Sequence, residues 1–274
     1  MKKNKVYLKS KIKSIILIYA LFFSVNFLTA CSVNKDYSSS ADILFSSEDT
    51  EARKRARIRL ELASNYFESE QIVIALDETK QALTTDPSYA DAYNMLGLIY
   101  MRLSDYDKAE ESFRRALALQ PRDSNIAHNY AWLLCLQKKY IEADNYFNLV
   151  FSNNNYSAVS KTLMTQGICQ ISSGEYLKAE KTLLRSYEID ISNPITSYNL
   201  ANLFFRKNDF SRAQFYIRRL NNSEMANAET LWLGLKIERK LNDGVAMRQL
   251  ADQLRKRFPG SSELSLYDSG KFND

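Results

Sequence analysis

Six alanines, Ala75, Ala109, Ala143, Ala179, Ala213 and Ala246, recur along this chain at intervals of 34, 34, 36, 34 and 33 residues. A period of that length means one supersecondary unit copied head to tail, each copy too small to bury its own apolar face. Around the alanines the apolar residues keep helical spacing from about Glu51 to Phe258. Seven glycines and four prolines in 274 residues are too few for a chain built from tight β-turns. The pattern therefore predicts an all-α stack of helical hairpins.

The second copy is the fullest. Tyr93, Leu96, Gly97 and Tyr100 fill its first half; Ala109, Phe113, Ala116 and Pro121 fill its second. Gly97 and Ala109 are small enough to let two antiparallel helices approach, and the large residues fill the space between pairs. Asp105-Tyr106-Asp107 marks the turn, with acid near the positive start of the following helix. Asp86-Pro87 and Gln120-Pro121 sit one period apart and stop each second helix. This layout resembles the tetratricopeptide repeat. The resemblance implies a right-handed superhelix of about six helix-turn-helix units, at 56–89, 90–123, 124–157, 160–193, 194–226 and 227–260, within a solenoid spanning 51–260. Asn153-Asn154-Asn155 replaces the third proline, and a two-residue insertion precedes the fourth unit. The serine-rich tail, 261–274, is expected to fray.

The N-terminus reads differently. Six lysines between Lys2 and Lys13 precede an apolar run that closes on Leu28-Thr29-Ala30-Cys31. That is the layout of a secretory signal over residues 1–30. The apolar stretch Ser14–Ala30 is at the short limit for a membrane-spanning anchor, the alternative reading. The cysteine after small residues resembles the lipobox of bacterial lipoproteins, which implies cleavage before Cys31 and acylation of Cys31. Ser32 in place of Asp resembles the outer-membrane sorting signal. Residues 31–50 read as a polar tether reaching roughly 25 Å. The net charge of +5 belongs to the leader: residues 1–30 hold six Lys and no acid, leaving 5 − 6 = −1 for the rest. No nucleic-acid partner is expected.

Catalytic chemistry finds little to work with. His128 is the single histidine, and the glycines are scattered rather than gathered in a phosphate loop. No enzyme activity, metal site, small-molecule substrate or cofactor is expected beyond the lipid on Cys31. Cys135 and Cys169 fall at the twelfth and tenth positions of the first helices of units three and four, which the stack makes neighbours. A disulfide between them is expected and would contribute about 4 kcal/mol at most. The alternative is two buried thiols acting as small apolar side chains.

In tetratricopeptide proteins the first helices line a concave groove through positions two, five, nine and twelve. Those positions here supply Leu60, Phe67, Asn94, Leu98, Met101, His128, Trp132, Met164, Ile168, Tyr198, Asn202 and Phe205, with Cys135 and Ile171 alongside. The strip is apolar, so a carboxylate clamp of basic residues is not expected. Asn94 and Asn202 can bond a peptide backbone, while Trp132, Tyr198 and Phe205 can anchor apolar side chains. An amphipathic helix or extended apolar peptide is the expected cargo. Arg53, Lys54, Arg55, Arg57 and Arg59 read as a solvated helix face, with anionic headgroups as the alternative contact.

The lipobox at Cys31, the strings Asp91-Ala92-Tyr93-Asn94-Met95-Leu96-Gly97 and His128-Asn129-Tyr130-Ala131-Trp132-Leu133-Leu134-Cys135, and the later Gly167-Ile168-Cys169 together resemble the type IV pilus biogenesis and stability lipoproteins of the PilF/PilW kind. Ala131 departs from the expected glycine by one methyl. The resemblance implies a pilotin: a lipid-anchored outer-membrane protein on the periplasmic face. It would bind pilus secretin subunits, or another pilus-assembly protein, and promote secretin multimerisation. Twitching motility would depend on it. A periplasmic adaptor for peptidoglycan hydrolases is the alternative.

Overall fold

The computed structural model describes residues 50–272. The leader 1–30, Cys31 and all but the last residue of the tether lie outside the described residues. Thirteen helices follow one another without a strand among the described residues. They are α1 (Glu51–Glu68), α2 (Ile72–Thr85), α3 (Ala90–Arg102), α4 (Tyr106–Leu119), α5 (Ser124–Leu136), α6 (Tyr140–Val150) and α7 (Val159–Ser172). The chain continues as α8 (Tyr176–Ile189), α9 (Pro194–Arg206), α10 (Phe210–Asn221), α11 (Ala228–Lys240), α12 (Gly244–Arg257) and α13 (Ser262–Asp268). This is the all-α hairpin stack that the alanine period predicts. No helix among the described residues is long and apolar enough to cross a membrane.

Each hairpin closes by the same backbone device. Glu70, Ser104, Lys138, Gly174, Asn208 and Asn242 all have left-handed φ, between 58° and 82°. They follow the first helices and repeat with the period of the stack. In the second hairpin Ser104 N–H donates to Met101 O (3.0 Å), and Asp105 N–H reaches back to Tyr100 O (2.9 Å). That pair of bonds satisfies the last carbonyls of a helix at a left-handed residue. Asp105, Asp209 and Asp243 then turn their carboxylates onto the first N–H groups of α4, α10 and α12, the standard use of a short acceptor at a helix start.

Within each hairpin the two helices meet at a small residue. Ala63, Gly97, Ala131, Gly167, Ala201 and Gly234 hold the eighth position of the six repeat units, each within its first helix. A Cβ on Gly97 would sit 2.6 Å from the ring of Phe113, which is fully buried. The backbones of consecutive first helices approach one another closely, whereas consecutive second helices meet only through long side chains such as Arg212 and Glu180. The stack therefore bends with α3, α5, α7 and α9 on its inner side.

The insertion before α7 is absorbed by residues 151–158. Asn153 donates from its amide to Ser124 Oγ (3.1 Å) and accepts from Asn155 N–H (3.1 Å), so the polar run forms an Asx turn. The expectation of a fraying tail is wrong for residues 261–272. Ser261 accepts from Leu264 N–H and starts α13. Leu264 is buried, and Phe272 stacks on Trp232 with ring centroids 5.0 Å apart. The short helix covers the apolar face of α11 and α12, as a terminal cap of a solenoid must.

Five of the six left-handed turn residues carry a Cβ, which costs roughly 1–2 kcal/mol in that conformation. Ser104→Gly should therefore raise stability by about 1 kcal/mol, and Gly174→Ala should lower it by a similar amount. Urea midpoints at constant slope will report both; equal midpoints for all three proteins would refute the assignment.

Candidate functional site

The inner side of the stack carries the predicted strip, and packing divides it. Leu60, His128 and Phe205 are buried and do not face solvent. This corrects their placement as groove residues. Leu60 packs with Ala56 and Ala75 inside the first hairpin. Phe205 lies in the core beside Phe210, 5.7 Å away, with Lys236 Nζ 5.3 Å above its ring. Position twelve is buried at Cys135 and Phe205 but only half-buried at Phe67, Met101 and Ile171.

His128 is closed in between α5, α6 and α7. Its Nδ1 lies 2.8 Å from Thr162 Oγ1, which is itself 3.0 Å from Tyr156 Oη. The Phe147 ring is 6.2 Å away, edge-on. Burial, helped by the nearby Lys161 charge, pulls the imidazole pKa down from 6.5 to about 4. The ring is neutral at pH 7 and packs the core.

The remaining nine residues stay half-buried: Phe67, Asn94, Leu98, Met101, Trp132, Met164, Ile168, Tyr198 and Asn202. Leu98, Met101 and Trp132 pack on the same core cluster from α3 and α5, and Phe67 joins Leu98 from α1. Tyr198 and Ile171 lie over a separate cluster farther along. Asn94 is only partly free for a peptide, because its Oδ1 accepts from Asn129 Nδ2 (3.0 Å). Tyr198 Oη donates to Glu229 Oε1 (2.5 Å); burial first, and that carboxylate second, raise the phenol pKa. Two contributors were missed. Asn129 ties α5 to α3. Ile195, half exposed at position two of α9, extends the apolar strip. The repeat register pointed to Ile195; nothing in the sequence singled out Asn129.

Cys135 and Cys169 are joined by a disulfide between α5 and α7, with Cα atoms 5.8 Å apart. The basic residues of α1 are largely engaged by the protein itself. Arg53 bonds Asp86 and Ser88 and lies 4.5 Å over the Tyr89 ring; Arg59 pairs with Glu78 (2.7 Å). With Arg53 and Ser88 donating to it, the Asp86 carboxyl falls to about 2. Among the described residues no group of three or more His, Cys, Asp or Glu is placed to hold a metal ion. The arrangement offers apolar contact area and a few amides, which is binding chemistry.

A family profile of the tetratricopeptide repeat matches residues 90–123. Over 212 residues the chain is 24% identical to the type IV pilus assembly protein PilF of Pseudomonas aeruginosa, covering 77% of this chain and 84% of PilF. Its fold superposes on the crystal structure of PilW, a type IV pilus biogenesis factor. The TM-score is 0.72 and the identity 29%, over 77% of this chain and 97% of PilW. The solved structure of Pseudomonas aeruginosa PilF gives a TM-score of 0.70 at 23% identity, over 80% of this chain and 99% of that one. The chain is thus homologous to a type IV pilus assembly protein and shares the stacked-hairpin fold of PilF and PilW.

Burial of His128 fixes a pH dependence. The unfolded chain takes up a proton near pH 6.5, while the folded chain resists until about pH 4. Stability from this group is whole above pH 6.5 and declines as pH falls toward 4. Between pH 7 and pH 5 the wild-type chain should lose about 2 kcal/mol. His128→Gln should flatten that interval, since no other histidine titrates there. Denaturation at both pH values tests this; an unchanged difference in the variant would remove His128 as the cause.

Proposed function

We propose that this chain is a lipid-anchored pilotin for type IV pilus assembly. It is held at the periplasmic face of the outer membrane by acylated Cys31. It carries secretin subunits in the half-buried apolar strip of α3, α5, α7 and α9. The observation that carries the reading is homology to a type IV pilus assembly protein over most of both chains. Its supports are the PilW-like fold and a strip whose residues suit peptide capture.

The mechanism is binding without bond chemistry. A solenoid presents its inner face as one continuous surface, so a segment longer than one hairpin can be held by several weak contacts. Trp132 is the natural anchor: a large ring, half-buried, beside Leu98 and Met101. Covering such side chains returns roughly 25 cal/mol for each Å² of apolar surface removed from water. The disulfide joins the third and fourth first helices directly behind this stretch, which keeps the anchor's surroundings fixed between cargoes. The lipid supplies the address and the strip supplies the grip.

Deleting the gene should remove heat-resistant secretin multimers and surface pili, and a Cys31→Ser copy should fail to restore them. A Leu98→Ala, Trp132→Ala double variant that still melts cooperatively should capture secretin at least tenfold less, the equivalent of about 1.4 kcal/mol. Normal multimers and pili in the deletion strain would overturn the pilotin reading and favour the adaptor for peptidoglycan hydrolases. Undiminished capture by the folded double variant would overturn the strip.

A further inference from the structure

The residue after each repeating alanine behaves alike at two junctions and differently at a third. Glu110, after Ala109, is reached by Lys139 Nζ (2.8 Å) and Gln137 Nε2 (3.1 Å) from the next hairpin. Glu180, after Ala179, is held by Lys207 and by Arg212 Nη1 (2.8 Å), again from the next hairpin. Asp144, after Ala143, occupies the same place between the third and fourth hairpins. There the chain supplies Ser173 and Glu175 at the positions that carry Gln137 and Lys139 one repeat earlier. Lys178, the counterpart of Arg212, holds Glu175 at 2.9 Å and makes no ion pair with Asp144.

What Asp144 receives instead are neutral amides. Gln166 Nε2 donates to its Oδ1 at 2.7 Å and Gln170 Nε2 at 3.5 Å, and Asn148 Nδ2 donates to its Oδ2 at 3.5 Å. Gln170 is only 7% exposed, and its Oε1 has no hydrogen-bond partner. An orphaned buried carbonyl costs about 1–3 kcal/mol. Both groups line a cleft of about 340 Å³ bounded by α6, α7 and α8. Tyr140 contributes a ring to its wall, and Ile141 stands on its edge with 82% of its surface exposed. The cleft holds two carboxylates, Asp144 and Glu175, and one lining cation, Lys178, which bonds Glu175 and acts on Asp144 only at longer range, and it has an apolar edge. It lies on the side of the stack opposite the inner strip, since α6 and α8 are second helices.

We infer that this cleft is a second docking site, which takes an arginine side chain of a partner polypeptide at Asp144 and Gln170. A guanidinium brings five donors and no acceptor. It can meet the Asp144 carboxylate, filling the role that Lys139 and Arg212 play at the flanking junctions, and a turn of the Gln170 amide, whose carbonyl is buried and unpaired, brings a second acceptor to it. The Tyr140 ring offers a face for the same cation. An apolar residue beside the arginine would rest on Ile141. The site is independent of the pilotin reading and of whatever occupies the inner strip.

The test uses the full chain and two labelled peptides, acetyl-Leu-Arg-Leu-amide and the same peptide with neutral citrulline in place of arginine. Fluorescence anisotropy should show the arginine peptide binding at least tenfold more tightly than the citrulline peptide. Asp144→Asn should abolish that preference, and Leu98→Ala in the inner strip should leave it unchanged. Ile141→Lys, on an exposed position that no packing depends on, should weaken the arginine peptide alone. Equal affinity for the two peptides, no binding at millimolar concentration, or a preference that survives both Asp144→Asn and Ile141→Lys would overturn the site.

Discussion

The closeness of two helices within a hairpin governs everything built on it. Position eight of every repeat is Gly or Ala, and where it is glycine the facing side chain occupies the space a methyl would need. Phe113 does so at Gly97 and Leu183 at Gly167, each within 2.6 Å of where a Cβ would stand. That contact fixes the separation of the pair, and with it the tilt at which the next hairpin can dock. The inner curvature, and hence which side chains of α3, α5, α7 and α9 stay accessible, follows from this one distance.

A polar layer sets the register between hairpins once the apolar contacts have set their spacing. Glu110 and Glu180 each reach a cation in the following hairpin. At the far end Glu238, fully buried, accepts two bonds from Arg218 at 2.7 and 3.1 Å and one from Gln214 at 2.7 Å. Removing Arg218 would strand a buried carboxylate, a far larger loss than the pair's net worth. Exposed members such as Arg102 with Glu70 contribute little by themselves. Their value lies in recurrence, because a one-turn slip would break every junction at once.

The period made the helices legible, since a small residue every 34 positions has few structural explanations. It also placed Cys135 against Cys169, because register alone decides which first helices adjoin. Burial was harder to read. His128, Leu60 and Phe205 hold positions that line grooves in general, yet here neighbouring side chains such as Thr162, Ala75 and Phe210 close over them, and a residue's place in the repeat does not say what its neighbours will cover. The left-handed turns escaped notice because Glu70, Lys138 and Asn208 are unremarkable residues on paper; only backbone geometry shows that they bear the same strain. The tail misled by composition. Its serines suggested disorder, but Ser261 caps a helix, and Leu264 and Phe272 supply the apolar contacts that close the stack.

Departures from the repeat gather between the third and fourth hairpins. The interval lengthens there, α6 is the shortest second helix, and α6 touches α7 more sparsely than any other second helix touches the first helix of the next hairpin. In a stack held by nearest-neighbour contacts, the thinnest interface is where local opening begins. The same junction carries the disulfide, the buried His128–Thr162 contact and the Asp144 cleft. A covalent bond at the weakest junction lets packing be relaxed without loss of register. Asp144 makes no ion pair there, because the next hairpin places Ser173 and Glu175 where other repeats place a cation and Glu175 holds Lys178, and a cleft lies beside it. The weak joint of the solenoid is therefore also the place where it has room to bind something on its outer side.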